Sequence, residues 1–148
     1  MSRAKVGDIT RRGLTVVEAR QAGDEHQVVS VQGEFTGYMK QPCRLCPWRV
    51  DATGEFPAEA FQHSARTAHD MSEHVFACHE SGINVGKTCA GFLLRGAHHN
   101  MSVRLGCMTG KYKQDVRDGG HELYESYIDM AVGNGVDPDD ESLKECRS

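Results

Sequence analysis

Cys43 and Cys46 sit in the run Gln41-Pro42-Cys43-Arg44-Leu45-Cys46-Pro47-Trp48-Arg49, and two thiols separated by two residues can turn back onto one metal ion. Pro42 and Pro47 flank that turn and stiffen it. Cys78 and Cys89 supply a second pair, with ten residues between them, and Gly82 and Gly86 give the intervening loop the freedom to close that gap. Four thiolates fill a tetrahedral zinc site and leave no position open, the arrangement of a structural rather than a catalytic metal. Cys43, Cys46, Cys78 and Cys89 are therefore the candidate ligands, with His79 as the substitute for its neighbour Cys78. Cys107 is a possible ligand but reads first as a core residue, and Cys146 reads as a free thiol near the chain end.

Zinc is the first choice of metal, and an iron–sulfur cluster, which also takes four cysteines, is the alternative. A redox-active Cys43/Cys46 pair shares its spacing with thioredoxin-like enzymes, but the βαβ pattern of that fold is missing. A bound structural zinc contributes on the order of 10–16 kcal/mol to a small folded domain. Whole domains are stable by only about 5–15 kcal/mol. A metal here decides whether its surroundings fold.

Other residues carry weaker signals. Trp48-Arg49 follows the first cysteine pair directly; it reads either as cover for the metal site or as an exposed anchor for a partner, since both residue types are favoured at binding hot spots. His63, His69 and His74 fall on or just past a predicted helix without the His-Glu-x-x-His spacing of a zinc hydrolase. His98-His99-Asn100 matches a fragment of metal-dependent nuclease motifs, too short to be specific. A metal-dependent enzyme built on His98, His99 or the helix histidines needs these residues to converge in a cleft. Gly82-Ile83-Asn84-Val85-Gly86-Lys87-Thr88 is one residue short of a phosphate-binding loop and lacks a preceding buried strand, which argues against nucleotide hydrolysis.

The elements that must position these groups begin with a β-hairpin. Leu14–Ala19 and Gln27–Phe35 are rich in β-branched residues, and Ala22-Gly23-Asp24-Glu25 has turn chemistry. Val29, Val31 and Phe35 share one parity, as a half-buried strand requires. Pro57 suits the first turn of a helix running to about Met71, with Phe61, Ala65 and Ala68 on one face. Thr88 caps a further helix that begins at Cys89 and ends at Gly96, placing the Cys89 thiolate in a favourable helix dipole. Asn100 to Cys107 fits a helix better than a strand. His121 to Val132 carries Leu123, Tyr124, Tyr127, Ile128 and Ala131 at helical spacing, and Gly133-Asn134-Gly135 stops it. Asp137-Pro138-Asp139-Asp140-Glu141 opens a final helix with few apolar residues, which is expected to fray.

Composition narrows the class. A chain of 148 residues suits one domain. No stretch is long and apolar enough to span a membrane, and the N-terminus lacks the apolar core of a secretory signal. Six cysteines in such a chain favour a metal in a reducing cytosol over disulfides. Net charge is −4, which argues mildly against non-specific nucleic-acid binding. The balance is uneven: residues 1–50 hold 8 Lys and Arg against 5 Asp and Glu, residues 101–148 hold 6 against 10.

Taken together, Pro42-Cys43-x-x-Cys46-Pro47-Trp48-Arg49, Gly54, Pro57, Phe76-Ala77-Cys78-His79-Glu80-Ser81, Cys89-Ala90-Gly91-Phe92 and Val103-Arg104-Leu105 resemble an uncharacterised family of small bacterial and bacteriophage cysteine-rich proteins. The resemblance spans roughly Gln41 to Gly110 and implies a metal-binding domain of unassigned function, with a phage or prophage origin. It favours Cys43, Cys46, Cys78 and Cys89 over Cys107, and it brings no catalytic residues.

The expected molecule is a small α+β single domain, with an N-terminal β-hairpin (1–38), a cysteine-rich core (39–115) and C-terminal helices (116–148). Several short helices surround a four-cysteine metal site. The expected role is a zinc-binding accessory module, phage-encoded and in the host cytoplasm, that docks on a host or phage protein or on nucleic acid. An iron–sulfur redox sensor or transcription modulator is the alternative.

Overall fold

The computed structural model describes Lys5, Gly7 and residues 15–22, 26–32, 37–78 and 86–147, with backbone alone for 15–22 and 26–32. The architecture is α+β. The hairpin pairs β1 (Thr15–Ala22) with β2 (His26–Gln32), antiparallel from Thr15↔Gln32 to Ala22↔His26, with a register break between Val16 and Glu18. Phe35 and the orientation of Val29 and Val31 lie outside what is described.

The element that organises the cysteines is β4 (Lys87–Thr88). It pairs in parallel with β3 (Gly37–Tyr38), and Met39 N–H extends that pairing to the Thr88 carbonyl at 2.9 Å. On its other edge β4 pairs antiparallel with the segment through Ala77, which bridges Thr88. Cys78 N–H donates to Lys87 O at 2.8 Å and Cys89 N–H to Phe76 O at 2.9 Å.

Helix α1 (Ala58–Ser64) follows Pro57 and tightens into a 3₁₀ turn, Ala65–Ala68. Phe61, Ala65 and Ala68 face the core as their spacing predicted, but the helix ends at Ala68 rather than near Met71. Helix α2 (Ala90–Arg95) stops at Gly96 as expected, with Cys89 rather than Thr88 at its N-cap. Thr88 is instead committed to the strand, its buried hydroxyl bonded to the Tyr112 hydroxyl at 2.9 Å. Helix α3 (Met101–Met108) is capped by Asn100, whose Oδ1 accepts from Val103 N–H at 3.0 Å.

Helix α4 is shorter than its apolar stripe suggested, covering only Tyr127–Gly133 behind a Ser126 cap. The preceding residues are extended. Leu123 bridges Arg49, Val50 N–H donates to Glu122 O and Tyr124 N–H to Trp48 O, both at 3.0 Å. Long-range backbone pairing overrides the local helical pattern there. Gly135, at φ +101°, turns the chain after α4 in the left-handed region open to glycine. The last helix expected is a single 3₁₀ turn, Glu141–Leu143, capped by Asp140. The terminal segment is held down: Leu143 is buried, Cys146 bridges His69, and Arg147 N–H donates to Ala68 O at 2.9 Å.

One apolar core contains Trp48, Phe61, Phe92, Leu123, Tyr127 and Met130 together with Cys43, Cys46, Cys78 and Cys89. Trp48 meets Phe76 and Tyr127 edge to face at 6.0 and 5.9 Å, and Phe76 stacks on Phe92.

Candidate metal centre

The first cysteine pair lies on a tight turn. Cys46 N–H donates to Cys43 O at 3.1 Å and Arg49 N–H to Cys46 O at 3.0 Å. The Trp48 backbone N–H also points at the Cys46 sulfur, a contact that favours a thiolate. The second pair is placed by β4. Opposed residues of an antiparallel ladder share a face and successive residues alternate. Since Ala77 opposes Thr88, Phe76, Cys78 and Cys89 all present to the other face, the one Trp48 packs against. The parallel partner β3 leads the chain within five residues to Cys43. A three-strand arrangement centred on two residues thus delivers both pairs to one place.

All four sulfurs are buried in the same core cluster, and none forms a disulfide. Cys46 Sγ and Cys89 Sγ stand 3.6 Å apart. A disulfide needs about 2.05 Å. Four thiolates about 2.3 Å from a zinc ion lie about 3.8 Å from one another, the edge of the tetrahedron. The Cys46–Cys89 separation matches that edge across a sequence gap of 43 residues.

The α+β domain expected from the sequence stands, and its four-cysteine metal site is not seen as a formed cluster. Among the described residues no group of three or more His, Cys, Asp or Glu side chains is arranged as a metal cluster. The hydrogen bond with Cys43 favours the Cys46 thiolate. The Cys89 sulfur and burial outweigh it, so the thiol is held well above its ordinary range. The residues nonetheless fit a soft divalent ion: four sulfurs in one core, one pair at tetrahedral spacing, and a cation beside them.

That cation is Arg49. Its Nη1 donates to Cys43 O at 3.3 Å, while Nε and Nη2 clamp the Asp51 carboxylate at 2.8 and 2.6 Å. The Asp51 hydrogen bond holds Arg49 in its charged form, and the Cys46 and Cys43 sulfurs add to it. A positive charge there would offset the surplus negative charge of four thiolates on a divalent ion.

Trp48 is fully buried, so the reading of it as an exposed anchor is corrected; apolar packing claims the whole ring. Its seat is made by Gly91 of α2 and Gly96 at the C-cap of that helix. A Cβ on Gly91 would lie 2.5 Å from Trp48 Cβ, and one on Gly96 would lie 2.4 Å from Cη2. The indole Nε1 is buried with no hydrogen-bond partner among the described residues. The glycine seat went unread in the sequence, although Cys89-Ala90-Gly91 was its signal. His79 lies outside the described residues. Cys107 is exposed rather than core, because it sits on the outer face of α3; Cys146 is half-buried, its thiol against Ala65 O at 3.5 Å.

The histidines divide. His69, His98 and His99 line one cleft; His63 and His74 are not among its lining. No helix among the described residues is long and apolar enough to cross a membrane.

The fold and its buried cysteines define a small α+β domain with a knuckle-type thiol centre. Residues 38–147 match the model of a family of unknown function, DUF6283, and the chain belongs to that family. The match begins at Tyr38, where β3 leads into the knuckle, and takes in every cysteine. No curated protein and no solved structure matches the chain.

Proposed function

We propose that this chain is a zinc-binding accessory module in which Cys43, Cys46, Cys78 and Cys89 hold one structural zinc ion. The observation that carries the reading is the 3.6 Å Cys46–Cys89 separation inside a core that also holds Cys43 and Cys78. The zinc supplies cross-linking and charge, not an open coordination position. Such a site suits a reducing compartment, the cytoplasm of a bacterial or phage-infected cell. The module works by binding a host or phage protein or a nucleic acid. Exposed Leu105 and Met108 on α3 support a protein contact.

The test is elemental analysis of protein purified without air. One zinc per chain in a colourless sample supports the proposal. Four freely titrating thiols with no metal overturn it. Iron with inorganic sulfide, in a brown sample that bleaches in air, replaces it with the iron–sulfur reading.

A further inference from the structure

The cleft beside α2 has a different chemistry from the cysteine centre. It is an open hollow of about 360 Å³. Its ionisable lining is Arg95, Arg147, His69, His98, His99 and Glu125. Two guanidiniums and one carboxylate line this wall, and two more carboxylates reach lining residues from beside it: Asp70 at Arg147, and Glu145 at 3.8 Å from His69 Nδ1. Arg95 Nη1 meets Glu125 at 3.1 Å, which engages one of five guanidinium donors. Arg147 Nε lies 3.8 Å from Asp70, an electrostatic contact beyond hydrogen-bond length.

The wall is preorganised. Asn100 is buried, and Nδ2 donates to Thr67 O at 3.3 Å and His74 O at 2.7 Å, while Oδ1 caps α3. That pin fixes the Ala97-His98-His99 segment at the cleft. The Arg147 backbone is tied to Ala68, and His69 Nε2 lies 3.3 Å from Ser142 O. Side chains presented from a fixed backbone lose less entropy on binding.

From these placements we propose that the cleft binds a phosphate group carried on a nucleotide-sized ligand. Arg95 and Arg147 are the phosphate donors, since a guanidinium offers paired N–H groups that match phosphate oxygens. His98 and His99 supply further ring N–H groups and flat surfaces against which a base can stack. The volume is that of a small-molecule site and too small for a duplex. The inference does not depend on the metal reading, because none of the lining residues is a proposed ligand.

The experiment uses the full chain as purified. Adenosine monophosphate and a short single-stranded oligonucleotide bearing a 5′-phosphate are titrated while amide shifts are followed by NMR. The wild type is expected to show saturable shifts centred on residues 95–100. Arg95→Gln and Arg147→Gln each weaken binding at least tenfold, with unchanged melting temperatures; Lys40→Gln, on another surface, leaves it unaltered. Binding of the mononucleotide assigns the site to a free nucleotide. Binding of the oligonucleotide alone assigns it to a strand end. Absence of saturable binding by both probes, or equal binding by the arginine variants, overturns the proposal.

Discussion

At the scale of single residues, the cysteines are not equivalent, and the differences follow from burial. Cys46→Ser and Cys89→Ser each remove one end of the 3.6 Å contact. On the zinc proposal each should lose the metal and most of the folded signal in circular dichroism, because a structural zinc contributes on the order of a whole domain's stability. Cys107→Ser, on an exposed thiol, should stay within about 0.5 kcal/mol of wild type. Equal melting temperatures for the three variants would remove the metal from the account. Tyr127 makes a separate case. Its buried hydroxyl donates to Phe61 O at 2.6 Å and meets Ser64 Oγ at 2.8 Å. Burial holds its phenol well above the usual range, with the Ser64 contact opposing. The unfolded phenol ionises near pH 10. Its contribution is therefore complete below about pH 10 and is lost as pH rises toward the folded value. Tyr127→Phe should cost about 1–3 kcal/mol at neutral pH by stranding the Phe61 carbonyl. It should also flatten the alkaline limb of a stability–pH curve measured by urea unfolding.

Elements show how far the sequence could be read. Local signals were sufficient where a segment obeys its own chemistry: Pro57 starts α1, Gly96 ends α2, and the Asn134 region stops α4. They were insufficient where a distant segment competes. Leu123 and Tyr124 have helical spacing but pair with Arg49 and Trp48, some 75 residues away. The two residues of β4 carry no strand signature, yet their pairing with β3 and with Ala77 aligns the two cysteine pairs. Cysteine spacing revealed the candidate ligands and nothing of that alignment. Nor did it reveal the α2 surface, where Gly91→Ala should cost about 1–3 kcal/mol by forcing a Cβ into Trp48, read as a drop in melting temperature. Asn100→Ala should cost a similar amount, since it removes a cap and leaves the Thr67 and His74 carbonyls without their donor.

For the whole molecule, the thiol centre and the cleft lie at opposite ends of one buried ring. Trp48 follows Cys46 by two residues, and its far edge touches Gly96, which lines the cleft. On the zinc proposal, metal removal should therefore be felt across the domain. A strong chelator is expected to lower the melting temperature and erase the amide dispersion of residues 95–100 together with that of the knuckle. A chelated protein that keeps the cleft signals would show the two regions to be independent. The family match stops short of the β1–β2 hairpin, so on the zinc proposal deleting residues 1–32, which leaves β3 intact, should leave metal stoichiometry unchanged.

A lone indole whose N–H has no hydrogen-bond partner among the described residues, packed edge to face against Phe76 and Tyr127, is also an optical gauge. Its emission in the native protein should lie far to the blue, for want of polar neighbours that relax around the excited state. Excitation of this one chromophore reports on the core it shares with Cys43, Cys46, Cys78 and Cys89. Extraction of the ion should shift the emission maximum to longer wavelength and re-addition should restore it, so occupancy can be followed in real time without any label.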